Sequence, residues 1–406
     1  MLFRSDGTYD LVIAADGANS LMRARFAGAF GPSVVTATAK FIWFGTRYPF
    51  RGLTFVHEQG PHGVFAVHGY PIGNGVSTFI VETDERSWRE AGLDRFDAGQ
   101  PPGPSDQVTR AYLEKLFATQ IDGCPLLVNN SRWGNFRTWR TQRWRHRAGR
   151  TAVALLGDAA HTAHFSGGSG TKMAMEDAIA LVRALDAAGP GPDDVDAALA
   201  EYEATRRPQV TRIQDAARPS LSWWEHFGRS YEHLPPWQFA FHFFSRSLPE
   251  SKLRQRDAGF VESVHRAWSA AHGGVAYPLR TPIDVAGGTH PGRVVPVEDG
   301  GARLAAGSLP LRPGPGRWGA WISAPDTEAG LDQAQEAFAR ALAAGACLVA
   351  VAYGTPLTRR LACEAARLEH GAVTMLVEDG SEDGVFEDRA RTAVLSGRAD
   401  LIGRRQ

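Results

Sequence analysis

The sequence predicts an α/β protein in which an antiparallel sheet interrupts a fold of strand-turn-helix units and a run of βα units follows. Three observations predict it. Two apolar strands, over 10–14 and 151–156, each run into a turn that pairs aspartate with glycine. Between them the pattern changes to a period of two. Beyond Gly316, apolar strands and amphipathic helices alternate at the spacing of βα units.

The first strand, Asp10-Leu11-Val12-Ile13-Ala14, leads through Asp16-Gly17 to Ser20-Leu21-Met22-Arg23. From Val34 to Ser131 strands alternate. Residues 64–70 and 76–82 flank Pro71-Ile72-Gly73-Asn74-Gly75, an antiparallel hairpin with a glycine-rich loop. A helix over 105–119 follows, with Ser105 as its N-cap. The strand over 151–156 then enters Gly157-Asp158-Ala159-Ala160-His161. Phe165-Ser166-Gly167-Gly168-Ser169-Gly170-Thr171-Lys172 opens a helix over 173–181. Glycines let the backbone approach a ligand, and free amides at a helix start favour negative charge. Asp158 stands where it can accept hydrogen bonds from a sugar hydroxyl. These residue types in this order point to a nucleotide cofactor.

Composition narrows the classes. Lys+Arg and Asp+Glu are both 44 among 406 residues, so no bulk attraction to nucleic acid follows. Hydrophobic residues at 43% and charged residues at 22% suit a globular chain long enough for two or three domains. Three widely spaced cysteines, Cys124, Cys347 and Cys363, imply no disulfide framework. No apolar run is long enough to span a membrane, residues 1–10 lack a signal-peptide core, and a cytoplasmic location is expected. No metal site is expected.

The motifs resemble those of the FAD-dependent aromatic hydroxylases, the single-component flavoprotein monooxygenases. Gly157, Asp158, Ala159, Ala160, His161, Gly167, Gly168, Gly170, Asp177 and Ala178 match one family fingerprint in register. The segment from Asp10 to Arg23 matches another, and Tyr202-Glu203 with Arg206-Arg207-Pro208 resembles the family's helix end after the flavin domain. Lys40 to Thr46, His62 to Pro71 and His161 to Ser166 resemble the monooxygenase half of the bifunctional salicylyl-CoA 5-hydroxylase and 2-aminobenzoyl-CoA monooxygenase/reductase group. The resemblance implies an oxidoreductase that uses NAD(P)H and O2 to hydroxylate an aromatic substrate, an aryl-CoA thioester such as salicylyl-CoA or 2-aminobenzoyl-CoA. It also implies site residues. Asp158 would hold the ribose or ribitol side of FAD, and Asp16, Gly17 and Arg23 would lie near the pyrophosphate. The amides of Gly170, Thr171 and Lys172 would face the flavin pyrimidine edge. The Lys172 side chain reads equally as a solvated lysine at a helix start.

The family opens with a strand, Gly-x-Gly-x-x-Gly and a helix. This sequence opens almost directly on the Asp16-Gly17 strand, so the expected flavin fold is an incomplete Rossmann-like domain. A fragment, a misassigned start, or a split enzyme whose partner chain supplies that unit all fit. The last of these is the alternative function: a non-catalytic remnant or subunit. The expected organisation is part of the FAD domain over 1–33, the antiparallel substrate sheet over 34–131, and the rest of the FAD domain with helices over 132–270. A linker over 271–316 and a partial βα-barrel remnant over 317–406 follow.

That tail resembles an old-yellow-enzyme-like FMN barrel. Helices over 332–344, 357–368 and 382–395 alternate with strands over 347–352, 373–377 and 399–402, and the glycine- and proline-rich stretch to Gly316 reads as irregular. A closed eight-unit barrel typically takes about 250 residues, far more than remain. Val377-Glu378-Asp379-Gly380 puts two carboxylates where a phosphate would sit, so FMN binding is not expected.

His164 is the candidate catalytic residue, in the spacer near the expected flavin ring. His161 reads as a brace for the turn, and His68 as a hydrogen-bonded sheet histidine. Arg132, Arg137, Arg140, Arg143, Arg145, Arg147 and Arg150, interleaved with Trp133, Trp139 and Trp144, suit coenzyme A phosphates and adenine. A solvated β-ribbon or a packed face is the favoured reading of that run.

Overall fold

The computed structural model describes residues 9–97, 99, 101, 103–189, 191–298, 301–304, 307–378 and 382–405. The chain divides into two units, Met1–Gly228 and Arg229–Gln406, each a mixture of helices and sheets. Among the described residues no helix is long and apolar enough to cross a membrane.

In the first unit, Leu11–Ala14 lies parallel to Thr151–Leu155, which pairs antiparallel with Arg145–Ala148 on its other side. Residues 152–155 are buried, as the middle strand of a covered sheet requires. Helix Gly170–Ala187 and the long helix Pro192–His233 supply Met173, Leu181, Tyr202 and Val210 to the core beneath. The helix does not end at Arg207-Pro208; it runs through Pro208 and Pro219. Each proline removes one backbone hydrogen bond, and side-chain anchors to the rest of the unit hold the helix across them. Gln214 donates to the Trp139 and Thr162 carbonyls at 2.8 and 2.9 Å.

The inserted antiparallel sheet has six strands. Thr54–Gly60, Gly63–Gly73, Val76–Thr83, Pro32–Thr46 and Leu126–Leu127 follow in spatial order, and Gly134–Thr141 also pairs with Pro32–Thr46. The hairpin is longer than its sequence suggests. Gly73 pairs with Val76, so only Asn74 and Gly75 form the turn, both at positive φ (52° and 67°). An Asn-Gly pair adopts that mirror-image turn readily. The helix after the sheet spans Gln107–Leu116, and its N-cap is Asp106 rather than Ser105. The Asp106 carboxylate accepts the Thr109 amide at 2.9 Å, while the Ser105 hydroxyl is taken by the Ser131 amide.

The second unit is built on a seven-stranded sheet. Its spatial order is Gly307–Pro310, Gly301–Leu304, Val294–Glu298, Leu401–Arg405, Thr374–Glu378, Val349–Ala352 and Ala320–Ser323. The last five run parallel. Helices Leu331–Ala343, Pro356–Leu368 and Asp383–Leu395 connect successive parallel strands, close to the spans expected from sequence. Alternation along a strand sends Val349 and Val351 into one core and Leu348, Ala350 and Ala352 into another. The stretch from 296 to Gly316 is not irregular, because Val294–Glu298 runs into it and strands Gly301–Leu304 and Gly307–Pro310 lie within it. Each is too short, and too close to a glycine turn, to show a period. Asp379 and Gly380 lie outside the described residues.

Candidate functional site

The parallel pairing of Leu11–Ala14 with Thr151–Leu155 brings the Asp16 and Asp158 turns side by side. Ala14 stands opposite Leu155, and the Leu156 amide donates to the Ala14 carbonyl at 3.0 Å. Arg23 joins the two turns. Its guanidinium donates to the Ala159 carbonyl at 2.8 Å, the Asp158 carbonyl at 3.3 Å, and the Ala18 carbonyl of the first turn. It stacks 3.9 Å from the centre of the Trp139 ring and is only 3% exposed. A buried guanidinium so satisfied is a clamp between segments 135 residues apart in sequence.

Asp16 shapes the first turn. Its exposed carboxylate accepts the Leu21 amide at 2.8 Å and the Met22 amide at 3.3 Å, at the start of helix Leu21–Arg25. Burial works to raise its pKa, but hydrogen bonds from Ser20, Met22 and Leu21 outweigh it and hold the group below its ordinary value. Gly17 turns the chain at φ 81°, a conformation costly for other residues.

Behind the second turn sits a buried ionic cluster. Asp177, fully buried, accepts from His161 Nε2 at 2.7 Å, Arg206 Nε at 2.8 Å and the Gly157 amide at 3.2 Å. His161 therefore braces the turn, with its ring tilted 5.0 Å from Trp144. Gly157 has φ 61°, and a Cβ there would meet the Ala174 methyl at 3.0 Å, so the turn and helix Gly170–Ala187 touch closely. Asp158 stands apart from this cluster. It is exposed, and among the described residues nothing donates to its carboxylate.

Gly167 and Gly168 close a short turn, with Gly168 at φ 61°. Helix Gly170–Ala187 then begins without a side-chain cap and without an acidic residue in its first turn. Its first amides thus have no acceptor within the helix. Thr171 and Lys172 are exposed, and the Lys172 ammonium pairs with Glu176 at 3.2 Å.

His164 is buried where the spacer meets the inserted sheet. Its Nδ1 lies 2.7 Å from the Ser166 hydroxyl, which is 3.1 Å from that of Ser220. Its Nε2 lies 3.4 Å from Glu82, whose other oxygen is 2.7 Å from His68 Nε2. Burial works to raise the Glu82 pKa, but the charges and hydrogen bonds of His164 and His68 outweigh it and bring it to about 2. Phe165 sits among Phe41, Trp43, His68 and Phe136 at ring separations of 5.2, 5.8, 5.7 and 6.1 Å. The sequence singles out His164 for the site, reads His68 as a sheet histidine, and gives no reading of Glu82. Its signal was an acidic residue inside an apolar alternating strand. Among the described residues no cluster could hold a metal ion.

The arginine run is partly scaffolding. Arg137 donates to Asn19 at 2.9 Å, Arg140 pairs with Asp215 and Arg147 with Asp196, both at 2.7 Å. Trp133 and Trp144 are buried.

Paired strand-to-turn units, one of them backed by an uncapped helix start, define the class as a flavin-dependent oxidoreductase. Residues 5–217 match the family model of an FAD binding domain. The chain belongs to that family, and within it to the FAD-dependent aromatic monooxygenases. Salicyloyl-CoA 5-hydroxylase of Streptomyces sp is 54% identical over 400 residues, 97% of this chain and 75% of that protein. The 3-hydroxy-4-methyl-anthranilyl-[aryl-carrier protein] 5-monooxygenase of Streptosporangium sibiricum is 40% identical over 217 residues, 53% of this chain and 54% of that protein. Among solved structures, PqsL of Pseudomonas aeruginosa, a probable FAD-dependent monooxygenase, is 23% identical, covers 53% of this chain and 57% of that one, and has a TM-score of 0.38. The chain thus spans three quarters of the first relative's length and about half of the other two.

Proposed function

We propose that this chain hydroxylates the ring of an aromatic acid carried as a thioester, salicylyl-CoA or 2-aminobenzoyl-CoA being the type, with FAD, NAD(P)H and O2. The supporting observation is the Arg23 clamp, which holds the two nucleotide-binding turns side by side. The names of two relatives support the thioester, since one carries its aryl group on coenzyme A and the other on an aryl-carrier protein. Such substrates and NAD(P)H suit a cytoplasmic enzyme.

The residues present fit FAD. The unengaged Asp158 carboxylate takes sugar or ribityl hydroxyls, and Asp16 and Gly17 keep the first turn open beside it. The first-turn amides of Gly170, Thr171 and Lys172 would offset the negative charge of a reduced ring. Gly157, Gly167 and Gly168 keep side chains out of that approach. Lys172 contributes its amide rather than its ammonium, which Glu176 holds. Bound FAD, reduced by NAD(P)H, supplies the activated oxygen derived from O2. The chain orients the aromatic ring against Phe165 and Trp43 and keeps water from it. His164 moves the proton: Glu82 fixes its Nε2 side, and Nδ1 passes a proton along Ser166 and Ser220. The tail reads as part of a βα barrel without FMN, a reading supported by the neighbour order of its successive parallel strands.

The purified chain is expected to bind FAD, with oxidised-flavin absorbance, and to consume NAD(P)H only when an aryl thioester is added. Mass spectrometry should find one added oxygen in the product. Asp158→Ala should abolish FAD binding while leaving the circular dichroism spectrum unchanged. A wild-type chain that stays colourless in excess FAD would overturn the proposal.

A further inference from the structure

The second unit lies outside the stretch matched by the FAD-binding model, and the flavin reading gives it no ligand. It contains a cleft of about 780 Å³ between helices Pro356–Leu368 and Asp383–Leu395, beside residues 245–252. Small-molecule sites run to roughly 300–1,000 Å³. The cleft wall is cationic, with Lys252, Arg360, Arg389, Arg391 and Arg398 lining it against Glu378 and Asp388.

Most of those charges are engaged elsewhere. Arg391 reaches Glu250 and, at 3.4 Å, Asp388. Arg398 holds Glu364 at 2.9 Å and the Ser245 hydroxyl at 2.7 Å. Glu378 takes Arg359 at 3.5 Å, and Asp388 also accepts the Ser251 amide at 3.1 Å. Arg360 and Arg389 differ. Arg360 spends its Nε on the Pro356 carbonyl at 3.1 Å. Among the described residues neither arginine has a carboxylate within ion-pair distance. Lys252 has, among the described residues, only the Gln255 amide oxygen, at 3.3 Å. Burial lowers the Arg360 pKa; Glu364 and Glu378 oppose that shift, and the nearby charge of Arg389 adds to it. Two guanidiniums without counterions on one cleft repel each other, and an anion between them would relieve the cost.

We propose that this cleft binds a phosphate-bearing small molecule, with Arg360 and Arg389 gripping the phosphate oxygens. Planar guanidinium forks match phosphate in pairs of parallel hydrogen bonds, and two of them, with Lys252 beside them, suit a group carrying two or more negative charges. Glu378 and Asp388 do not repel it strongly, since each is already paired with an arginine.

The test titrates inorganic pyrophosphate and ADP into the full chain, saturated with FAD so that the flavin turns are occupied, and follows binding by calorimetry and phosphorus NMR. Saturable one-to-one binding that weakens with salt is expected. The double variant Arg360→Gln/Arg389→Gln should bind at least about tenfold more weakly. Its melting temperature should not fall, because neither side chain makes an ion pair and their mutual repulsion is removed. Lys252→Gln, an exposed change, should give a smaller loss and serves if the double variant misfolds. Equal affinity for pyrophosphate and ADP assigns recognition to the diphosphate alone, and binding of ADP only assigns it to a nucleoside diphosphate. No saturable binding of either probe, or binding untouched by these substitutions, overturns the proposal.

Discussion

Asp177→Ala is the substitution whose cost can be worked most directly from the geometry. The carboxylate is fully buried and accepts three hydrogen bonds, at 2.7, 2.8 and 3.2 Å. Hydrogen bonds to a charged group contribute roughly 1.5–3 kcal/mol each, which gives a gross loss of about 5–9 kcal/mol. Against this, the variant no longer carries the desolvation of the carboxylate itself, several kcal/mol. What remains is an Arg206 that is 3% exposed, with the more exposed Glu176 at 3.0 Å as its remaining counterion and neutral acceptors on Gln209 and the Met173 carbonyl. Breaking one side of a buried pair typically costs about 3–5 kcal/mol, and the same range is expected here. Urea unfolding followed by circular dichroism measures it. The companion is Asp177→Leu/Arg206→Met, which removes both charges. If the cost comes from an abandoned buried cation, the double variant must be more stable than Asp177→Ala. A loss below about 1 kcal/mol in the single variant, or a double variant no more stable than the single, would refute the reasoning.

Two further outcomes follow from the same unit. Glu82 has a folded pKa of about 2 against an ordinary 4.5. Its contribution, roughly 3 kcal/mol, is therefore fully present above about pH 4.5 and is lost as pH falls toward 2. Urea melts between pH 7 and pH 3 should show that decline in the wild type and a flatter one in Glu82→Gln; parallel curves would sink the idea. Gly157→Ala forces an alanine to φ 61° and places its methyl 3.0 Å from that of Ala174. It should cost about 1–3 kcal/mol and weaken FAD binding in a flavin titration, with unchanged stability as the contrary result.

What the sequence disclosed is what local backbone chemistry demands. Gly157 and Gly17 are glycines because the turns need positive φ, so the two turns were legible from residue type and order. Helices Leu331–Ala343 and Pro356–Leu368 of the tail were legible because amphipathic spacing does not depend on which strand stands beside them. Long-range pairings were hidden. His68 stands opposite Ile80 and Glu82 opposite Ala66, so their contact is diagonal across the sheet and depends on a register that one strand does not encode. The Arg23 clamp was hidden for the same reason: an arginine after a nucleotide-binding turn suggests phosphate, and only the parallel strand pairing reveals carbonyls in its place. The continuation past Pro208 shows how burial overrides propensity. Arg206, two residues before the proline, is anchored to buried Asp177, and Gln214, six residues after it, to two carbonyls of the first unit. The helix is therefore held at points on either side of a lost hydrogen bond, and the price of the proline is met by tertiary contacts that no local pattern contains.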